Sequence, residues 1–208
     1  MDDCCASKAS DLERLARQAE QRRVLVVVLA LNAAMFLIEF TAGLIAGSAA
    51  LMADSADMFG DASVYALSLY ALDRSGRWKA GAAMAKGVFI VALGLGVLFE
   101  IGVRLQTGVP PNSTLMLGFA ALALAVNLFC LRLIWRFRSL DMNMSSAVEC
   151  SRNDVIANLG VLVAAGAVAL SGSFWPDIIV ASVIAALFLR SAVRMIGEAW
   201  PVLRHAHS

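Results

Sequence analysis

The chain has 208 residues, 60% of them hydrophobic and only 16% charged, and its mean hydropathy is +0.76. Soluble domains carry roughly 45–50% apolar residues, so this balance excludes a water-soluble globular fold and a disordered chain alike. The formal net charge of +1 gives no reason to expect a nucleic-acid partner.

Residues 1–23 form a charged leader to the first apolar run. Within it, "DLERLARQAEQRR" from Asp11 to Arg23 sets Leu12, Leu15, Ala16 and Ala19 at helical spacing. That spacing predicts an amphipathic helix lying on the inner membrane surface, with a solvated helical extension as the alternative. No short apolar core with a small-residue cleavage site is present, so the first span is expected to act as an uncleaved insertion signal. Cys4 and Cys5 lie in this leader, where a reducing cytoplasm disfavours a disulfide. Together with His205 and His207 they are read as incidental tail residues, because their spacing is not that of a closed metal site, with metal scavenging at the entry mouth as the alternative.

Runs of about 20 apolar residues, enough to cross a hydrocarbon layer roughly 30 Å thick, follow in order. They are Val24 to Ala46, Ser48 to Leu72, Ala80 to Val103, Leu115 to Trp135, Ser146 to Leu170 and Trp175 to Ile196. In lipid the backbone must satisfy its own polar groups, and these runs are too long for barrel strands. The expected fold is therefore all-α, a six-transmembrane-helix bundle over 24–197 with a short tail at 198–208. Turn-like stretches such as "DRSGRWKAG" and "QTGVPPNST" separate the runs and leave no room for a soluble domain between them.

Basic residues fix the orientation. Lys8, Arg14, Arg17, Arg22 and Arg23, then Arg74, Arg77 and Lys79, then Arg132, Arg136 and Arg138, and finally Arg190, Arg194 and Arg204 all fall on one side, against Arg104 on the other. The positive side is the cytoplasmic one. A multi-pass integral protein of a plasma membrane, such as the bacterial inner membrane, with both termini cytoplasmic is expected.

Against this apolar background, "DSADMFGD" in the second run places Asp54, Asp57 and Asp61 in eight residues. Counted along a helix at about 1.5 Å per residue, Asp57 and Asp61 lie near mid-membrane, and their i,i+4 spacing stacks them on one face, with Asp54 one turn further out. Buried charge of this kind needs a cation, a water-filled cavity or protonation. The fifth run answers with "VECSRNDVIANLG", in which Cys150 and Asp154 are again i,i+4 at a matching depth. An Asp/Asp/Cys/Asp set suits a tetrahedral divalent ion such as zinc, and the thiolate moves the preference toward softer ions such as cadmium.

These residues resemble the cation diffusion facilitator family. Asn32, Phe36 and Glu39 in "NAAMFLIEF", then Gly43, then "GSAALMADSADMFGD" look like that family's first two helices, and Cys150, Asp154 and Asn158 match its fifth-helix pattern except that Cys150 stands where His is usual. The resemblance implies that Asp57, Asp61, Cys150 and Asp154 bind the transported metal, that protons move the opposite way, and that the protein is a homodimer joined through its membrane helices. Most members continue into a cytoplasmic ferredoxin-like domain, so a short, membrane-domain-only member is implied. No cofactor is expected beyond the transported Zn2+ or Cd2+, and no enzymatic activity.

A fully ionised tetrad would put four negative charges around an ion of charge plus two, which is unfavourable in a low dielectric. The metal-free site is therefore expected to hold protons that metal binding expels, giving metal/proton antiport by alternating access across the lipid bilayer. Asp54 is expected to line the exit path or to orient the second helix. Glu39 and Asn32 are read as interhelical hydrogen-bond partners or cavity liners, and Glu149 with Arg152 as a neighbouring ion pair or, alternatively, a gate at the inner vestibule of the pathway. Cys130 is a small packing residue, and Gly43 with Gly47 serve close helix packing. Two rival readings fit parts of this pattern. A metal-binding accessory protein that does not transport would share these ligands. A two-aspartate intramembrane protease would need Gly where Met58 stands, and it leaves Asp57 and Cys150 without a role.

Overall fold

The computed structural model describes residues 2–70, 76–138 and 142–204, with side chains described for 19–60, 62–63, 66, 81, 83–138, 148, 151–194, 196–197 and 200–201. Among the described residues six helices follow in order: α1 Asp2–Ala46, α2 Ala49–Tyr70, α3 Gly76–Thr107, α4 Ser113–Trp135, α5 Met142–Ser171 and α6 Trp175–Arg204. Among the described residues there is no strand, as an all-α membrane bundle requires.

Five of these helices contain stretches long and apolar enough to cross a membrane: Ala19–Ala46, Ala83–Thr107, Ser113–Trp135, Ser151–Ser171 and Trp175–Arg194. The exception, α2, has 22 residues and so a length of about 33 Å, enough to span, but it carries the three aspartates. Several helices outrun the apolar stretches that announce them. Helix α3 begins at Gly76 and α5 at Met142, a turn earlier than hydropathy suggests. Polar residues at a helix end sit well in the interface, so hydropathy marks only the part in hydrocarbon. Helix α1 is continuous from Asp2, with no proline and no glycine before Gly43, so of the two expectations for the segment 11–23 the helical extension of the first span is the one seen.

Helix α2 is the hub. It packs against α1, α3, α5 and α6, while α1 also meets α4, α4 meets α5, and α3 lies along α6. The α3/α6 seam is tight because Gly87 and Gly94 have no side chains; a Cβ on either would run into Ile196 or Leu189. Helix α4 shows how the sequence selects its inner face. Met116, Ala120, Ala123, Asn127, Cys130 and Ile134 are its buried residues, spaced by four and three in alternation, the period of an α-helix. Cys130 packs with Val24, Val28, Ile134, Phe137 and Val148, which bears out its reading as a packing residue.

The bundle is apolar outside and polar within. Large side chains such as Leu170, Phe99, Ile45 and Val163 are exposed, whereas Asn32, Glu39, Asp54, Asn127, Asp154, Asn158 and Asp177 are buried. A soluble protein would invert this arrangement.

One end of the bundle is knitted together around Gly47, between α1 and α2. Gly47 takes φ +64°, a conformation that favours glycine, and the next residue closes the helix end through Ser48 N–H to the Gly43 carbonyl at 2.9 Å. The Arg104 guanidinium of α3 lies where a Gly47 side chain would be, and it pairs with Glu100 at 2.8 Å. Gly43 allows an equally close approach, for its Cβ would come 3.0 Å from the Met52 backbone nitrogen. The α3/α4 connection joins the same knot through Asn112, whose N–H donates to the Ala46 carbonyl at 2.8 Å and whose side chain caps α4 by accepting from Leu115 N–H.

Candidate metal centre

Asp57 of α2 and Asp154 of α5 reach one cavity of about 610 Å³. Asn153, Ala157 and Gly160 continue its α5 wall, and Ile179, Val183, Ile184, Leu187 and Phe188 of α6 close the far side. Ile156, Ile179, Val183 and Leu187 line the cavity and are also exposed, which places its mouth in the seam between α5 and α6 with an apolar rim. Asp154 is 4% exposed and Asp57 half-buried, so both carboxylates stand in the low-dielectric interior at the edge of a space able to admit an ion. Thus two of the four residues expected to bind metal are brought to the same place from helices nearly a hundred positions apart.

The other two, Asp61 and Cys150, have side chains outside the described residues, as does Glu149. Their backbones lie on α2 and α5, one turn from Asp57 and Asp154 in the direction away from Gly47. Among the described residues, no group of three or more His, Cys, Asp or Glu side chains is placed to share one ion.

One turn from the cavity toward Gly47, Asn158 Nδ2 donates to Asp54 Oδ1 at 3.3 Å and to the Asp154 carbonyl at 3.0 Å. Glu39 of α1 is an electrostatic neighbour of Asp54, and Asp54 of Asp57. Glu39 and Asn32 were expected to bond across helices or to line a cavity, and among the described residues neither makes a hydrogen bond across helices. Asn32 Nδ2 donates to Val28 O on its own helix at 2.9 Å, and both Glu39 carboxyl oxygens lack a partner. An i,i+4 bond back to the helix costs less geometry than one across a seam. Cys130 is near enough to Asp154 to feel its charge, though it packs with an apolar cluster.

Two buried charges escaped the reading of the sequence. Lys86 of α3 is 8% exposed, and its signal was a single lysine inside an otherwise apolar stretch. Asp177 is fully buried in the first turn of α6 and accepts from Ser48 Oγ at 2.6 Å, Ala49 N at 2.9 Å and Ala50 N at 3.1 Å, capping α2 from another helix. No local pattern reveals a partner so distant in the chain.

Residues 25–203 match the cation efflux transmembrane domain, and the chain belongs to that family. It is an integral, multi-pass membrane protein. It is 26% identical over 174 residues to the metal cation efflux system protein CzcD of Cupriavidus metallidurans, an alignment covering 78% of this chain and 55% of that protein. It is 32% identical over 137 residues to metal tolerance protein A2 of Arabidopsis thaliana, covering 59% and 34%, and 24% identical over 189 residues to the zinc transporter ZitB of Escherichia coli, covering 85% and 60%. The chain thus spans between about a third and three-fifths of the length of these curated relatives.

Proposed function

We propose that this protein exports divalent metal cations, zinc or cadmium first among them, in exchange for protons. The observation that carries the reading is the meeting of Asp57 and Asp154 at one membrane-embedded cavity. Asp61 and Cys150 complete the ligand set one turn away, giving three carboxylates and a thiolate, a set suited to tetrahedral zinc and to cadmium. The names of the relatives, a metal cation efflux protein and a zinc transporter, point the same way. They describe transporters and no enzyme.

Exchange follows from charge. Four ionised ligands without a metal are too costly in the bundle interior, so protons occupy them until an ion displaces them, and alternating exposure of the cavity turns displacement into antiport. The bias of basic residues supports cytoplasmic termini with the Gly47 end outside, and in that orientation an inward proton gradient drives metal outward. The membrane helices join two copies into a homodimer.

Binding of zinc in weakly buffered detergent is expected to acidify the medium, and apparent affinity to fall as pH drops. Zinc binding with no proton release at any pH would leave uniport as the mechanism. Binding without flux in liposomes would make the protein a metal-binding accessory.

A further inference from the structure

Helices α2 and α5 each present three polar positions at helical spacing: Asp54, Asp57 and Asp61 on one, Cys150, Asp154 and Asn158 on the other. The proposed ligands use the pairs away from Gly47. Asp54 and Asn158 form a further pair nearer to it, linked by their 3.3 Å hydrogen bond, and Glu39 adds a carboxylate from α1.

Four oxygen atoms at this level have no hydrogen-bond donor: Glu39 Oε1 and Oε2, Asp54 Oδ2 and Asn158 Oδ1. All three residues are at most 1% exposed. A buried polar atom without a partner is costly, more so where it bears charge, so four such acceptors together are a poor structural network. The contrast with Asp177 is direct, since that carboxylate serves only structure and meets three donors. Acceptors without donors call for an electropositive occupant. Asn158 strengthens this independently of the acids: its NH2 group is committed to Asp54 and to the Asp154 carbonyl, which leaves its bare oxygen as the group available to a ligand.

We propose that Glu39, Asp54 and Asn158 form a second, oxygen-only cation site, one helical turn from the Asp57/Asp154 cavity toward Gly47, which holds the divalent ion in transit. The proposal rests on the transport reading above. Two carboxylates balance the charge of a divalent ion, and the donor set contains no thiolate or imidazole. Such a site holds zinc and cadmium less tightly than a site with a thiolate, so it receives an ion and releases it, while it suits harder ions such as manganese.

The test uses the purified full chain in detergent with two probes, manganese followed by its spin-resonance signal and cadmium by its thiolate absorption. Asp154→Asn, a change at the cavity, is expected to weaken cadmium binding and to retain a class of bound manganese. Glu39→Gln and Asp54→Asn, which keep shape and remove charge, are expected to weaken manganese binding about tenfold or more and to leave the cadmium–thiolate signal in place. Asn158→Leu serves as a third variant that alters no charge, with thermal unfolding checking the fold of each. Manganese binding unchanged in both Glu39→Gln and Asp54→Asn overturns the site, as does its loss together with cadmium in Asp154→Asn. Wild-type protein that binds cadmium but no manganese defeats the second site and leaves the transport reading standing. Manganese held through Glu39 without any metal flux does the reverse.

Discussion

Asp177, in the first turn of α6, holds the start of α2 through Ser48, whose hydroxyl donates to the carboxylate at 2.6 Å while its oxygen accepts from Leu51 N–H at 3.1 Å. The helix that carries Asp54, Asp57 and Asp61 is therefore capped both by its own N-cap serine and by a residue 129 positions away.

Replacing Asp177 with Ala removes three acceptor contacts and leaves the Ala49 and Ala50 N–H groups buried without partners, a loss of about 2–4 kcal/mol. Asp177→Asn keeps one acceptor oxygen and is expected to lose less. Melting in detergent measures both, and an Asp177→Ala variant as stable as the wild type would show that the cap carries no weight.

Gly47 and Gly96 make a matched pair. Gly47 has φ +64° and the Arg104 guanidinium above it, whereas a Cβ on Gly96 meets nothing within 4 Å. Gly47→Ala is expected to destabilise by about 1–2 kcal/mol from backbone strain alone, with a further loss as Arg104 is displaced. Gly96→Ala is expected to be neutral or slightly stabilising, since alanine favours the helix. Equal melting temperatures for the two variants would contradict the account of the Gly47 turn.

Cys150 is where the chain departs from the pattern of the family it resembles. A thiolate favours cadmium over zinc more than imidazole does, so Cys150→His is expected to retain flux with a lower cadmium-to-zinc ratio, and Cys150→Ser to lose more cadmium than zinc transport. Competition between the two ions in one liposome preparation reads the ratio. An unchanged ratio in both variants would remove Cys150 from the ligand set.

The helices were legible because a membrane reduces the alternatives: apolar runs of spanning length must be helices, and their i,i+4 acids must share a face. Helix α2 was legible as the apolar run Ser48 to Leu72, although its three aspartates hold it apart from the five most apolar stretches among the described residues. The convergence of Asp57 and Asp154 was legible as matching depth and is visible in the structure as one cavity. What the sequence concealed depends on contacts between helices far apart in the chain. Asp177 reaching Ser48 and Asn158 reaching Asp54 leave no periodic trace, and the burial of Lys86 depends on which face α3 turns inward. Glu39 was expected in the interior, bonded across helices or lining a cavity; it is buried, and its carboxyl oxygens meet no donor among the described residues.

The central claim, that the Asp57/Asp154 cavity carries a transported metal, is tested most directly by zinc and cadmium flux into liposomes under an imposed pH gradient. Wild-type protein is expected to move metal in proportion to the gradient, while Asp57→Ala and Asp154→Ala, inserted in equal amount and melting within a few degrees of the wild type, fall to the rate of empty vesicles. Wild-type flux in Asp154→Ala would contradict the account.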